Sequence, residues 1–148
     1  MQLNQVIVAT DFSAHSDAAI RHGIHIARAA GAELRIIHVV ETLADEGALH
    51  SAVDRWRADT RGRLARQVEP YTAEDIDITQ EIVDAPSVPE GLQSVANTYH
   101  ADLLVVGSRG LTGLKQTLLG SAARRALRTV ETHVMVARGE APATTGYQ

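Results

Sequence analysis

The stretch from Ala101 to Val130 reads ADLLVVGSRGLTGLKQTLLGSAARRALRTV. It begins with a short run rich in Val and Leu, Leu103 to Val106, which predicts a buried strand. A loop containing several glycines follows, and the segment after Ser121 has the pattern of a helix. A phosphate site requires this order, because glycines let the backbone approach a phosphate and a helix N-terminus offers unpaired N–H groups.

The charges of this stretch favour an anionic ligand. The whole chain has a formal net charge of −4. Between positions 103 and 130, however, there is no Asp or Glu, and the charged residues are Arg109, Lys115, Arg124, Arg125 and Arg128. Such a local field matters more to a polyphosphate than the net charge does. The alternative is a tight strand-to-helix turn with merely solvated arginines, since glycine loops follow many strands.

Composition indicates a globular protein and argues against several functions. Of the 148 residues, 45% are hydrophobic and 22% are charged, which predicts one domain with a single core. The absence of cysteine excludes disulfides and thiolate chemistry. Few aromatic residues and no basic excess argue against nucleic-acid binding. No apolar run is long enough for a membrane span and no signal peptide is visible, so we expect a cytoplasmic protein without membrane insertion.

Apolar patterns predict alternating strands and helices along the chain. The strands are expected at 6–9, 33–40, 76–83, 103–106 and 133–137. The helices are expected at 15–30, 47–68, from 87 to about 99, and after 121. Gly31 is predicted to end the first helix. Ser87 to Glu90 has the spacing of a capping box, which predicts the start of the third helix. The second helix is predicted to be amphipathic and solvent-facing, with its apolar positions at Leu49, Val53, Trp56, Leu64 and Val68.

This alternation predicts an α/β fold, with an open parallel sheet and helices on both faces. In such sheets the ligand binds beyond the carboxyl ends of the strands, where the strand order reverses. The first strand ends in the turn Thr10 to Ser13. We therefore expect Asp11 to lie beside the loop that begins at Gly107.

The glycine loop also resembles a known family. Gly107-Ser-Arg-Gly110, nine further residues and Gly120-Ser121 fit Gly-x-x-Gly-x9-Gly-[Ser/Thr], and this resembles the nucleotide motif of ATP-binding universal stress proteins. Asp102 to Gly110 looks like the family's DLIVMGSRG, and Val6 to Ser13 looks like its opening strand and acidic turn. The resemblance covers about 4–138. The chain departs from the family at Asp84-Ala85-Pro86 and at Thr132-His133, which puts local turns in question rather than the ligand.

The resemblance implies a Rossmann-like, five-stranded sheet of order 3-2-1-4-5. Chain length and composition predict a single domain over 1–138 and a flexible tail at 139–148, a segment rich in Ala, Thr and Gly. The resemblance also implies a homodimer formed through the strand His133 to Ala137. This strand is expected at a sheet edge, where its unpaired N–H and C=O groups could bind a second copy.

For the ligand, the resemblance implies ATP, with magnesium bound through its phosphates. The first glycine of the family's nucleotide motif is Gly107 in this chain. Phosphates would be held by backbone N–H groups of the remaining motif, at Gly110, Gly120, Ser121 and Ala122. Arg109 and Lys115 would close over the phosphates.

The nucleoside would lie at the ends of the first two strands. Asp11 is assigned to ribose or adenine, because a carboxylate is unfavourable beside a phosphate. The family implies an adenine pocket lined by Ala9, Thr10 and Val39 or Val40. The alternative for Asp11 is a helix N-cap, a role for which Ser13 competes equally.

Binding is better supported than catalysis. No spacing of histidines and carboxylates completes a metal site, and no nucleophile with a general base is apparent. The sequence predicts a nucleotide-dependent regulatory module with an unidentified protein partner. A slow ATPase or phosphate-transferring enzyme remains open, as does a protein that binds AMP or a cyclic nucleotide.

Overall fold

A computed structural model describes residues 2–42, 50–72, 75–108 and 121–138. The strands are β1 (Gln5–Ala9), β2 (Glu33–Glu41), β3 (Ile78–Ala85), β4 (Leu103–Gly107) and β5 (His133–Ala137). The helices are α1 (Ala14–Ala30), α2 (His50–Val68), α3 (Val88–Thr98) and α4 (Ser121–Thr129), and a 3₁₀ turn, Glu69–Tyr71, follows α2. The predicted alternation of strands and helices is confirmed.

The strands form one five-stranded sheet of order β3-β2-β1-β4-β5, and every neighbouring pair is parallel. The order 3-2-1-4-5 is therefore confirmed. Strands β1 and β4, which are far apart in sequence, lie side by side with Val8 opposite Val105. The strand order reverses at this pair, so a crevice forms beyond the carboxyl ends of β1 and β4.

Both faces of the sheet are covered, because side chains alternate along each strand. On one face Val6 and Val8 pack in a buried cluster with residues of α1 and α2. On the other, Ile7 packs in a cluster with residues of α3 and Ala123 of α4. The central strands are thus buried on both sides, which explains their nearly continuous apolar sequences.

Capping contacts set the ends of two helices, and the sequence predicts those at Gly31 and Ser87. Ser13 is the N-cap of α1 and accepts a hydrogen bond from the Ser16 N–H. Gly31 ends α1 in the left-handed conformation, with φ of 66°. Ser87 caps α3 and accepts from the Glu90 N–H. These contacts span only a few residues, so the local sequence is enough to specify them.

Two elements differ from the sequence pattern. β3 runs from Ile78 to Ala85 instead of 76–83. Ile76 precedes the strand, but its side chain packs against the core. This packing explains why an apolar residue stands before the strand begins. In α2, Leu64 and Val68 are buried as expected, whereas Trp56, which belongs to the same pattern, is 47% exposed. Leu49, most of the glycine loop and the predicted tail lie outside the described residues.

Candidate functional site at the carboxyl edge of the sheet

The crevice is closed at its base by a backbone contact between α1 and β4. A Cβ built on Gly107 would lie 2.9 Å from both the carbonyl carbon and the oxygen of His15, and 3.0 Å from the Ser16 nitrogen. These distances are shorter than real Cβ contacts, so no side chain fits there. The first glycine of the motif therefore has a packing role: it lets the end of β4 approach the first turn of α1.

Two side chains join the same two elements. Ser108 Oγ lies 3.4 Å from His15 Nδ1. Ser108 is buried, and its backbone N–H donates to the Ala137 carbonyl at the end of β5. The start of the glycine loop is thus fixed to both α1 and β5, immediately before position 109.

Asp11 lies in a turn between β1 and α1. Its Oδ1 accepts a hydrogen bond from the Ser13 N–H at 2.9 Å. Ser13, not Asp11, supplies the side-chain cap of α1, so the capping role that competed with ligand binding belongs to Ser13. Asp11 is only partly buried. Its carboxylate lies at the crevice and is not needed to begin the helix.

Phe12 has a left-handed backbone, with φ of 68°. This conformation costs a residue with a side chain about 1–3 kcal/mol and persists only where the surroundings impose it. Its N–H donates to Thr10 Oγ1 at 3.0 Å. Its ring lies 4.3 Å from the His38 ring, and the Arg63 guanidinium stands over it at 4.3 Å. A cation at an exposed aromatic ring contributes about 0.5–1 kcal/mol.

Thr10 joins this turn to two helices. Its hydroxyl lies 2.8 Å from Ser16 Oγ in α1 and 2.6 Å from Gln67 Oε1 in α2. The Ser16 hydroxyl in turn donates to the Ser13 carbonyl. Thr10 is buried, so its side chain serves this network. Its backbone N–H is engaged as well, because it donates to the Ile37 carbonyl at 2.9 Å.

His38 supports the turn from β2. Its Nδ1 lies 2.7 Å from the Thr10 carbonyl, which can only accept, so Nδ1 carries a proton. Burial lowers the pKa of His38, and the hydrogen bond to Thr10 opposes that shift. Arg63 also lowers the pKa and Asp11 raises it. Burial dominates and favours a neutral imidazole beneath the turn.

The residues that the resemblance places around adenine could contact it through backbone groups more than through side chains. Registered pairs between β1 and β2 end at Ala9 and Ile37, whereas β2 continues to Glu41. The backbone groups of Val39, like those of Ile37, therefore face the β1 side of this edge, whereas those of Val40, like those of Thr42, face β3. Their side chains are buried, and Val39 packs against Ala85 and α3. Ala9 is partly buried at the end of β1.

The phosphate-binding candidates fall mostly outside the described residues. Arg109, Gly110, Lys115 and Gly120 belong to 109–120. The backbone of Ser121 and Ala122 forms the first turn of α4, which contains no acidic residue. Further along α4, the exposed arginines are Arg124, Arg125 and Arg128. This helix start suits an anion, and the carboxylate of Asp11 suits the hydroxyls of a sugar.

Two structural features are absent from the described ranges. Across 2–42, 50–72, 75–108 and 121–138, no group of three or more His, Asp or Glu side chains could hold a metal ion. Within the same ranges, no helix has the length and apolar character needed to cross a bilayer.

Several contacts at this site were not predicted from the sequence. Phe12, Arg63 and Gln67 meet around the turn, although α2 is distant in sequence. His15 meets Ser108 across a separation of 93 positions. The one available signal was Phe12 itself, the only phenylalanine of the chain, placed in a turn and not in an apolar run.

Comparison with known proteins agrees with this geometry. The universal stress protein family matches residues 3–138. Universal stress protein MJ0531 of Methanocaldococcus jannaschii is 28% identical over 139 residues, covering 90% of this chain and 81% of the relative. Universal stress protein YxiE of Bacillus subtilis is 28% identical over 146 residues, covering 91% and 99%. A solved universal stress protein in complex with cAMP is 27% identical, with a TM-score of 0.72 and coverage of 95% and 100%. Because the family match spans nearly the whole sequence, the chain belongs to the universal stress protein family.

Proposed function

We propose that this chain binds ATP with magnesium and acts as a nucleotide-dependent regulatory module in a stress response. One observation carries the proposal: β4, which leads into the complete glycine motif, lies beside β1, which ends in the Asp11 turn. The first residues of the glycine motif and the Asp11 turn therefore follow neighbouring strands at the reversal of strand order, which supports a shared nucleotide site. The cAMP complex of a family member supports a nucleotide as the class of ligand.

In this proposal the loop binds the phosphates through its backbone. N–H groups of Gly110, Gly120, Ser121 and Ala122 donate to phosphate oxygens, and Arg109 adds positive charge. Asp11 accepts hydrogen bonds from the ribose, while the β2 edge at Val39 recognises adenine. Magnesium supplies the charge balance that a polyphosphate needs when neutral N–H groups hold it.

The sharpest test is Gly120→Val. Gly120 directly precedes Ser121, the first residue of α4, where a Cβ would intrude on a phosphate held against the helix start. We expect calorimetry to show no ATP binding by the variant, while its circular dichroism stays like that of the wild type. Ser121→Ala should be milder, losing about 0.5–1.5 kcal/mol of binding free energy, because the backbone N–H remains.

A folded Gly120→Val protein that binds ATP normally would refute the phosphate assignment. A glycine needed only for the turn predicts lower stability without a specific loss of ATP binding. A turnover assay on the wild type, with Gly120→Val as the blank, separates a binding module from a slow hydrolase. Steady release of phosphate that disappears in the variant would favour the enzyme.

A cyclic or monophosphate nucleotide is the second candidate, because a solved relative is in complex with cAMP. Titration with ATP, AMP and cAMP under identical conditions would rank the ligands. A preference for cAMP over magnesium ATP would replace the triphosphate in the proposal and leave the crevice as the site.

The proposed assembly is a homodimer formed through β5. This strand lies at the edge of the sheet, and Val134, Met135 and Val136 are only partly buried in the single chain. An edge strand presents backbone groups that can pair with another copy. Sedimentation at tens of micromolar should show a dimer, and Val136→Lys should shift it towards monomer. A wild-type monomer at that concentration would contradict the proposal.

A further inference from the structure

The turn that carries Asp11 is held by helix α2. Residues on both sides of Asp11 contact this helix: Thr10 reaches Gln67 at 2.6 Å, and the Phe12 ring lies under Arg63 at 4.3 Å. Arg63 and Gln67 are four positions apart, so they lie on the same side of α2. The helix therefore contacts the turn at two adjacent points.

The turn would not keep its conformation without such support. Phe12 has φ of 68°, a conformation that the surrounding structure must impose on a residue with a side chain. The Phe12 N–H donates to Thr10 Oγ1, the same oxygen that Gln67 contacts. The ring of Phe12 contacts the His38 ring, and the Arg63 guanidinium lies over the Phe12 ring. A shift of α2 would therefore reach Phe12 through both its backbone and its ring.

We infer that Arg63 and Gln67 are positioning residues for the nucleotide site: through Phe12 and Thr10 they fix the turn that orients Asp11. The inference rests on the proposed function for its ligand, but the state of the turn can be measured without any nucleotide. It makes α2 a control element, because a change in the position of the helix would reach Asp11 through Thr10 and Phe12 on either side of it.

The first experiment reads the turn in the nucleotide-free protein. NMR hydrogen exchange is measured at the Phe12 and Ser13 amides, whose N–H groups donate to Thr10 and Asp11 within the turn. Arg63→Met and Gln67→Met should speed exchange at both amides and leave the core amide of Ile7 unchanged. Arg63→Lys, which keeps a cation near the ring, should restore most of the protection.

Arg61→Met is the matched control. Arg61 is an exposed arginine of the same helix, but it lies beside Gln80 and Glu81 of β3 and away from the turn. The substitution removes the same charge from α2. Exchange at Phe12 and Ser13 should remain at the wild-type rate in this variant.

The second experiment measures magnesium ATP affinity by calorimetry on the same proteins. Arg63→Met and Gln67→Met should weaken binding about 3- to 30-fold, the usual range for residues that act through a neighbour. Arg61→Met should bind like the wild type, and Arg63→Lys should recover most of the loss.

Unchanged exchange at Phe12 and Ser13 in both variants would overturn the inference. Faster exchange at Ile7 as well would also overturn it, because the two residues would then stabilise the whole fold and not the turn. A loosened turn with unchanged ATP affinity would do the same. If the wild type bound neither ATP nor cAMP, the proposed function would fail, and the exchange result alone would decide whether α2 holds the turn.

Discussion

Two arginines of this protein stand over aromatic rings, and the two contacts differ in what they hold. In one, Arg63 of α2 lies 4.3 Å from the Phe12 ring at the carboxyl edge of the sheet. In the other, Arg35 of β2 lies 3.7 Å from the ring of Tyr99, which ends α3. Both contacts join a helix region to a strand region that is distant in sequence.

The contact at Tyr99 belongs to a cluster of polar side chains, in which the buried Arg35 Nε has no hydrogen-bond partner among the described residues. Arg35 pairs with Glu81 at 3.2 Å, and the Tyr99 hydroxyl donates to the same carboxylate at 3.0 Å. That hydrogen bond is the main reason that the pKa of Tyr99 is raised. β2 and β3 are regular at this contact, but His100, directly after Tyr99, also has a left-handed backbone, with φ of 51°. The cluster therefore connects the end of α3 to β2 and β3.

The contact at Phe12 holds the turn that carries Asp11. Arg63 is solvent-exposed, Phe12 has a left-handed backbone, and Asp11 beside it is partly exposed at the crevice. The same type of interaction therefore serves stability in one place and the conformation of a candidate site in the other. The surroundings of the contact decide its role, and the following substitutions test that distinction.

The largest effect is expected at Gly107, where the carboxyl edge depends on backbone contact. Gly107→Ala places a Cβ against the His15 carbonyl, which cannot move without shifting α1. We expect the free energy of unfolding to fall by about 2–3 kcal/mol, as for other overpacked sites. Urea denaturation measures it.

Gly62→Ala is the control for that substitution. Its Cβ would meet only the flexible end of the Arg66 side chain, and a glycine inside a helix costs about 0.5–1 kcal/mol relative to alanine. This variant should be at least as stable as the wild type. Equal stability of Gly107→Ala and the wild type would show that β4 and α1 tolerate a wider separation.

A smaller effect is expected at Arg35. Arg35→Met leaves the Glu81 carboxylate without its ion pair and removes the cation from Tyr99, so unfolding should become easier by about 1–2 kcal/mol. ATP affinity should not change, in contrast to Arg63→Met. Denaturation and calorimetry on both proteins measure the two effects. A loss of affinity in Arg35→Met equal to that in Arg63→Met would remove the distinction between the clusters.

The smallest effect is a pH dependence caused by His38. Burial lowers its pKa in the folded protein below the ordinary value of 6.5, so the unfolded chain binds a proton more readily. The stability associated with neutral His38 is present above pH 6.5 and is lost as the pH falls through the folded pKa. Arg63 and Asp11 face the imidazole with opposite effects on its pKa.

His38→Asn isolates this contribution, because asparagine can still donate to the Thr10 carbonyl but does not titrate in this range. Chemical denaturation between about pH 7.5 and pH 5 should show a steeper loss of stability in the wild type than in the variant. Parallel curves would mean that His38 has the same pKa in the folded and unfolded chains.

The sequence by itself determined the elements, their caps and the family. The apolar run at Leu103 to Val106, the cap at Ser87 and the stop at Gly31 depend on residues close together in the chain, so their patterns could be read directly. The glycine motif from Gly107 to Ser121 indicated the nucleotide class in the same way. The strand order came from resemblance, because alternation alone allows several windings of a parallel sheet.

Only the tertiary structure decided what surrounds Asp11. The contact of Gln67 with Thr10 joins residues 57 positions apart, and that of His15 with Ser108 joins residues 93 positions apart. Such contacts depend on how helices cross the sheet and where each strand ends, and periodicity does not encode these quantities. For the same reason Trp56 followed the apolar pattern of α2 and yet lies exposed. A pattern can show that a helix has an apolar face, but packing decides which of its residues that face covers.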